Sequence, residues 1–247
     1  MEERTHYGMK KRGKSRFVIV APHAAGDDLK TKEIADSIAR YLDAFFVINT
    51  KYKKITNSQI KNQPVILKRI GEDFNKLVWP KRIDEWADKQ RHKKEFYDDI
   101  KEFVTCVHKY NKNSVIIYIH GMRDGNDKIG IDIGCGLKYC NGKLLSATRH
   151  PNSGNNTGVR RMRRIDAEKL KQILTRKISK YNLRTGIGEA KRGMQEFAAW
   201  DRRNGIQFHA GSNDISFQLE LAYLLRRREN LGNTSKIIAE ALKLVYS

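Results

Sequence analysis

The chain has 247 residues, 39% hydrophobic and 31% charged, which are globular proportions that exclude wholesale disorder, and its length suits one α/β domain. Lysine and arginine number 49 against 28 aspartates and glutamates, a formal charge of +21 that attracts polyanions and anionic small molecules alike. No apolar run nears the roughly 20 residues that span a bilayer, and Met1 to Arg16 has no signal-like apolar stretch, so a cytoplasmic location is expected.

In chain order, residues 1–15 read as a basic, flexible lead-in, with a single domain over 16–247. Phe17 to Ala21 is a continuous apolar run that suits a strand buried on both faces, ended by Pro22. Leu29, Ile34, Ile38 and Leu42 recur at helical intervals and predict a helix over 29–42. Ala44 to Ile48 is a second strand and Val65 to Ile70 a weaker third. The charged stretch from Arg82 to Tyr110 carries an interrupted helical stripe and predicts one or two helices. Val115 to Ile119 repeats the buried-strand pattern and runs into His120. Ile129 to Ile133 is another strand, and Pro151 to Gly158 a Gly/Asn-rich loop.

A helix comes next over 166–181, with Asp166 available as its N-cap. In Ile215 to Leu221 the residues alternate, placing Ser216, Gln218 and Glu220 on one face of a strand and the apolar residues on the other. A last helix is marked over 234–245. Strands alternating with helices predict an α/β sheet flanked by helices, mixed because two strands lack clear crossovers.

Four constellations carry chemistry. Pro22-His23-Ala24-Ala25-Gly26-Asp27-Asp28 is a small-residue loop directly after a buried strand, and ligands of open α/β sheets bind at the carboxyl ends of strands. Zinc takes imidazole nitrogen and carboxylate oxygen at about 2.0 to 2.2 Å, so His23 with Asp28, or with Asp27 instead while Asp28 caps the helix, can supply two ligands, although by itself the motif reads as a polar loop with a helix cap. His120 ends a second buried strand; alone it reads as a structural histidine, but two strand ends carrying histidine can converge, and it can then supply a third. Glu220 offers the acid/base that a metal hydrolase needs, unless it is an ordinary solvent-facing strand residue. A further charged loop, Arg69 to Lys76, holds groups suited to a substrate carboxylate. Cys106, Cys135 and Cys140 are three thiols without an export signal, which argues against a disulfide framework, and the last two fit no common zinc spacing.

The order His23 with Asp27/Asp28, then Asn75-Lys76, then His120, then Glu220 resembles the N-formylglutamate amidohydrolase-like family, with its phage-type poly-γ-glutamate hydrolase and zinc carboxypeptidase relatives. The likeness runs from about Phe17 to Arg227. It implies a three-layer α/β/α domain with a mixed sheet, of the phosphorylase/hydrolase-like, zinc carboxypeptidase-like class, and one Zn2+ per chain. By that likeness His23, an aspartate and His120 are the metal ligands, with Asp28 favoured by relatives that have a wider histidine-to-acid gap. Glu220 takes the place of the catalytic glutamate. Asn75 and Lys76 stand where the carboxypeptidase relatives grip a substrate carboxylate with Asn-Arg, and Arg69 is a second cation for that role.

The expected activity is hydrolysis of an amide bond in an N-acyl amino acid, an N-formylglutamate-like compound or a γ-glutamyl peptide, by metal-activated water. The rival expectation is a basic nucleic-acid-binding protein on a degenerate hydrolase fold, motivated by the charge and by clusters at Lys51–Lys54, Arg160–Arg164 and Arg226–Arg228. Those clusters are scattered, which favours a small anionic or peptide-like substrate over a nucleic acid.

Overall fold

The computed structural model of the chain describes residues 2–26, 28–52, 87–125, 127–146, 162–190 and 213–246. Its first element is a hairpin of β1 (Glu2–Arg4) and β2 (Gly8–Lys11), closed by Thr5, whose N–H donates to the Gly8 carbonyl and whose hydroxyl accepts from the Gly8 N–H. This corrects the expectation of a flexible lead-in over 1–15. The segment has too few apolar residues to signal a strand, and its order comes from distant partners. Tyr7 is fully buried, its hydroxyl donates to Asp99 at 2.7 Å, and Lys10 meets the same carboxylate at 2.7 Å.

The central strands form on the apolar runs. β3 (Phe17–Ala21) is buried at every position and pairs in parallel with β4 (Phe45–Asn49) and with β5 (Val115–Met122). Between β3 and β4 lies α1 (Thr31–Leu42), which turns Ile34, Ala35, Ile38, Ala39 and Leu42 inward. Burying an isoleucine such as Ile34 or Ile38 contributes about 1.5–3 kcal/mol. The helix begins at Thr31 rather than at Leu29, because Lys30 takes a left-handed conformation (φ 68°) that a helix cannot pass through, and Leu29 is left exposed.

After α2 (Ala87–His108) and β5 come β6 (Ile129–Gly134) and a separate ribbon of β7 (Leu137–Cys140) and β8 (Lys143–Ser146). The chain then forms α3 (Arg164–Ile178), β9 (Arg184–Ile187), β10 (Ile215–Ala222), the short α4 (Tyr223–Arg226) and α5 (Arg228–Tyr246). Asp166, the expected N-cap of the third long helix, lies inside its first turn instead. There it takes two hydrogen bonds from Arg163, and Arg163 holds the cap position.

The strands form one eight-stranded mixed sheet in the order β1-β2-β4-β3-β5-β10-β6-β9. β10 pairs in parallel with β5 and antiparallel with β6, so the mixing expected from the missing crossovers is located at this strand. Ile117, Ile119, Phe217 and Leu219 face the layer of α1, α3 and α5, whereas Val18, Val20, Ile116 and Tyr118 face Phe96, Ile100 and Phe103 of α2. The result is the expected α/β/α sandwich with a mixed sheet. Among the described residues no helix is long and apolar enough to cross a membrane. The weak strand at Val65 to Ile70 and the loop at Pro151 to Gly158 lie outside the described residues.

Candidate metal centre

β3 and β5 lie side by side and parallel, so the turn that leaves β3 meets the carboxyl end of β5. Pro22 breaks the β3 ladder, since it has no N–H to give. Asn49, at the end of β4, donates its side-chain amide to the Pro22 carbonyl at 2.7 Å and fixes where the next turn starts. The Asp28 N–H returns to the His23 carbonyl at 3.3 Å. That closure brings the imidazole and the carboxylate to the same side, while the Asp28 carbonyl, not its side chain, receives the Thr31 hydroxyl at the helix start. The Asp28 side chain is thereby kept from capping.

His120 stands on β5 past the last β3 pair. Its Nδ1 is 3.3 Å from Asp28 Oδ2, and His23 Nδ1 is 3.4 Å from that same oxygen. The imidazoles meet edge to face with centroids 4.8 Å apart, and both residues are almost fully buried, at 5% and 3% exposure. The Gly121 N–H also donates to Asp28 Oδ2 at 3.1 Å. Burial works to raise the Asp28 carboxyl, but hydrogen bonds and charge from His120 and His23 outweigh it and hold the group well below the usual carboxylate range.

Glu220 is the direct β10 partner of His120, and Asp132 on β6 is the direct partner of Glu220, so the three form a row across the sheet. The alternation in Ile215 to Leu221 therefore separates two buried faces rather than a buried and a wet one. Ser216, Gln218 and Glu220 are all buried, and Gln218 donates to Glu220 Oε1 at 3.0 Å. Asp132 is fully enclosed and accepts the N–H groups of Glu189 and Ala190, both at 3.1 Å. Burial, aided by the neighbouring Glu220 and Glu189 and opposed by those two N–H groups, pushes its carboxyl up to about 7. Gly186 makes room for it on β9, since a Cβ there would lie 2.5 Å from Asp132 Oδ1.

Arg226 holds the strand ends together. The sequence places it in the basic cluster Arg226–Arg228, yet it is 4% exposed. Its guanidinium donates to the carbonyls of Leu221 (2.9 Å), Met122 (2.8 Å) and Leu29, one from each chain segment that carries a site residue. Gly121 lets it in, because a Cβ at 121 would sit 2.6 Å from the guanidinium carbon. Burial lowers the Arg226 pKa, and the charges of Asp28 and Glu220 work to restore it.

Sequence reasoning missed Arg226, Asp132 and Asn49. Only Asp132 left a signal, as a lone carboxylate in the otherwise apolar run Ile-Gly-Ile-Asp-Ile. Of the expected site residues, Asp27, Arg69, Asn75 and Lys76 lie outside the described residues. His23, Asp28, His120 and Glu220 come together.

The donor set fits zinc. Two imidazole nitrogens and a carboxylate oxygen converge, and a tetrahedron with bonds of about 2.0–2.1 Å has edges of about 3.3 Å, which the 3.3 and 3.4 Å separations match. Among the described residues His120 Nε2 is a buried nitrogen with no hydrogen-bond partner, so the ring's engagement there runs through Nδ1.

No family model matches the sequence, and no curated protein matches it. Solved structures do. A gene product from Agrobacterium tumefaciens is similar at 12% identity and a TM-score of 0.54, over 94% of this chain and 91% of that one. N-formylglutamate amidohydrolase from Ralstonia eutropha JMP134 is similar at 10% identity and a TM-score of 0.51, over 94% and 93%. A bacteriophage poly-gamma-glutamate hydrolase aligns at 13% identity and a TM-score of 0.49, over 96% and 87%. At these identities the likeness is one of backbone architecture, and by that architecture the chain has the fold of N-formylglutamate amidohydrolase.

Proposed function

We propose that the chain is a zinc-dependent hydrolase of a non-ring amide or peptide bond, with His23, Asp28 and His120 as the protein ligands of one Zn2+. The observation that carries the reading is the meeting of two buried imidazoles and one carboxylate at the ends of parallel strands, with a buried glutamate on the next strand. Bound zinc contributes Lewis acidity, polarising the scissile carbonyl and making water acidic near neutral pH.

The chain's own residues do the rest. Glu220 takes a proton from the attacking water and passes it to the leaving nitrogen, so it works as base and then as acid. Gln218 orients the Glu220 carboxylate through Oε1. Asp132, kept protonated up to about pH 7, limits the negative charge beside Glu220. Arg226 positions the three loops without touching substrate.

The substrate class is an N-acyl amino acid, an N-formylglutamate-like compound or a γ-glutamyl peptide. The net charge of +21 favours an anionic substrate, and Arg69, Asn75 and Lys76 are the side chains proposed to bind its carboxylate. The test is a screen of N-acyl amino acids and γ-glutamyl peptides with zinc-loaded protein and the Glu220→Gln variant. Turnover by wild type and loss in the variant, with zinc retained, supports the mechanism. Equal turnover by the variant removes it.

The same charge supports a second reading, a nucleic-acid-binding protein on a degenerate hydrolase fold. That reading requires tight, strongly salt-dependent binding of DNA or RNA that survives replacement of His23 and His120.

A further inference from the structure

The N-terminal hairpin meets α2 along one face of that helix. Asp99 takes Tyr7 and Lys10, and Glu102 takes Arg12. These contacts explain why β1 and β2 are ordered. They leave a third contact, one turn nearer the start of α2, that is made of different chemistry.

There His6, in the turn between β1 and β2, brings Nδ1 to 3.0 Å from Glu95 Oε2, and His92, one turn before Glu95 on α2, brings its own Nδ1 to 3.8 Å from the same oxygen. The two imidazoles stack with centroids 5.0 Å apart and planes 23° from parallel, and Tyr52 stacks on His92 from a centroid distance of 5.6 Å. An ordinary ion pair accounts for His6 and Glu95. His92 reaches the same carboxylate oxygen from the i,i+3 position of α2, so imidazoles from two elements converge on it and reproduce the two-histidine, one-carboxylate set of the centre at the strand ends.

We propose that His6, His92 and Glu95 form a second divalent-metal site, which clips the N-terminal hairpin to α2. Two nitrogens and one carboxylate oxygen select zinc-class ions over magnesium or calcium, which take oxygen ligands. Separations of 3.0 and 3.8 Å lie on either side of the roughly 3.3 Å edge of a tetrahedral zinc site. The side chain of His6 is 64% exposed, so the remaining coordination position opens to water and the ion exchanges with solvent. The ligands come from two elements, hence binding adds a metal link to the hydrogen bond, ion pairs and Tyr7–Phe96 ring contact that already join the hairpin to α2.

This inference is independent of the proposed hydrolase centre. The test is equilibrium dialysis of the full-length chain against Zn2+, with stoichiometry read by metal analysis, on wild type, His6→Ala/His92→Ala and His23→Ala/His120→Ala. Amide hydrogen exchange of residues 2–11 is read with and without zinc. The expected result is two zinc ions per wild-type chain and one in each double variant, with exchange in 2–11 slowed by zinc in wild type and in His23→Ala/His120→Ala only. Glu95→Gln keeps the helix intact and is expected to lose the same ion as the His6/His92 pair. Wild-type stoichiometry in His6→Ala/His92→Ala, or no zinc in His23→Ala/His120→Ala, overturns the inference. A single wild-type ion that disappears only with His6 and His92 upholds it and removes the hydrolase centre instead.

Discussion

The strands β5 and β10 have a buried aspartate–histidine cluster at each end, and the two clusters are built for different work. At the amino ends Asp214 Oδ1 accepts the Ser114 N–H at 2.7 Å and the Ser114 hydroxyl at 2.9 Å, and meets His108 Nε2 at 2.7 Å. Hydroxyl and amide donors satisfy that oxygen, and one half-exposed histidine completes it. At the carboxyl ends Asp28 Oδ2 faces two imidazoles, both enclosed, with a glutamate one strand away. A carboxylate met by hydroxyl and amide donors is a lock between strands. A carboxylate met by two convergent ring nitrogens, as at Asp28, is the set proposed above to hold a metal.

Replacing histidines at the two ends should separate these roles most sharply. His23→Ala or His120→Ala is expected to abolish stoichiometric zinc at the strand-end centre, whereas His108→Ala leaves it in place, as metal analysis after equilibrium dialysis will show. Next in size is the rate effect. Glu220→Gln should lower kcat for amide hydrolysis by about 10²–10⁴-fold with zinc unchanged, while Asp214→Asn leaves kcat within about twofold.

In stability the two ends rank together. Asp214→Ala strands the Ser114 hydroxyl and N–H, and we expect a loss of about 2–6 kcal/mol in urea unfolding, at about 1–3 kcal/mol for each buried group left without a partner. At the other end Arg226→Met, which strands three carbonyls, should cost a similar amount and also raise KM or lower kcat by loosening the loops. A purely structural lock such as Asp214 should lower stability alone.

The smallest effect is a pH slope. Asp132 has its carboxyl pushed up to about 7 in the folded chain, above its ordinary value, so between about pH 4 and 7 the folded state keeps a proton that the unfolded state has released. Its contribution is fully present below pH 4 and is lost as pH rises through 7. The slope is at most about 1.4 kcal/mol per pH unit, and unfolding free energies of wild type minus Asp132→Asn across that window should show it.

The elements legible in the sequence are those where apolar residues concentrate. β3, β4, β5, β6 and β10 are continuous or alternating apolar runs, and each forms where it was expected. β1 and β2 are ordered by Tyr7 and Lys10 reaching Asp99, about ninety residues away, and no local pattern reports a partner at that distance. Likewise the burial of Glu220 depends on neighbours on both sides of β10, and Arg226 is enclosed only because Gly121 leaves space for it. The histidines were legible because each comes directly after a run the sequence marks plainly. That they converge was a matter of strand order, which periodicity does not encode.

The place of β10 between β5 and β6 also bears on how the protein is made. It is the last of the sheet strands to leave the ribosome and it enters the middle of the sheet, not its edge. Until residues 215–222 have been synthesised, the nascent chain carries two open strand edges facing an empty slot, both apolar and able to pair with other chains. A chaperone or rapid completion of translation is therefore most needed late, and a premature stop just before residue 215 should yield insoluble protein rather than a smaller folded one.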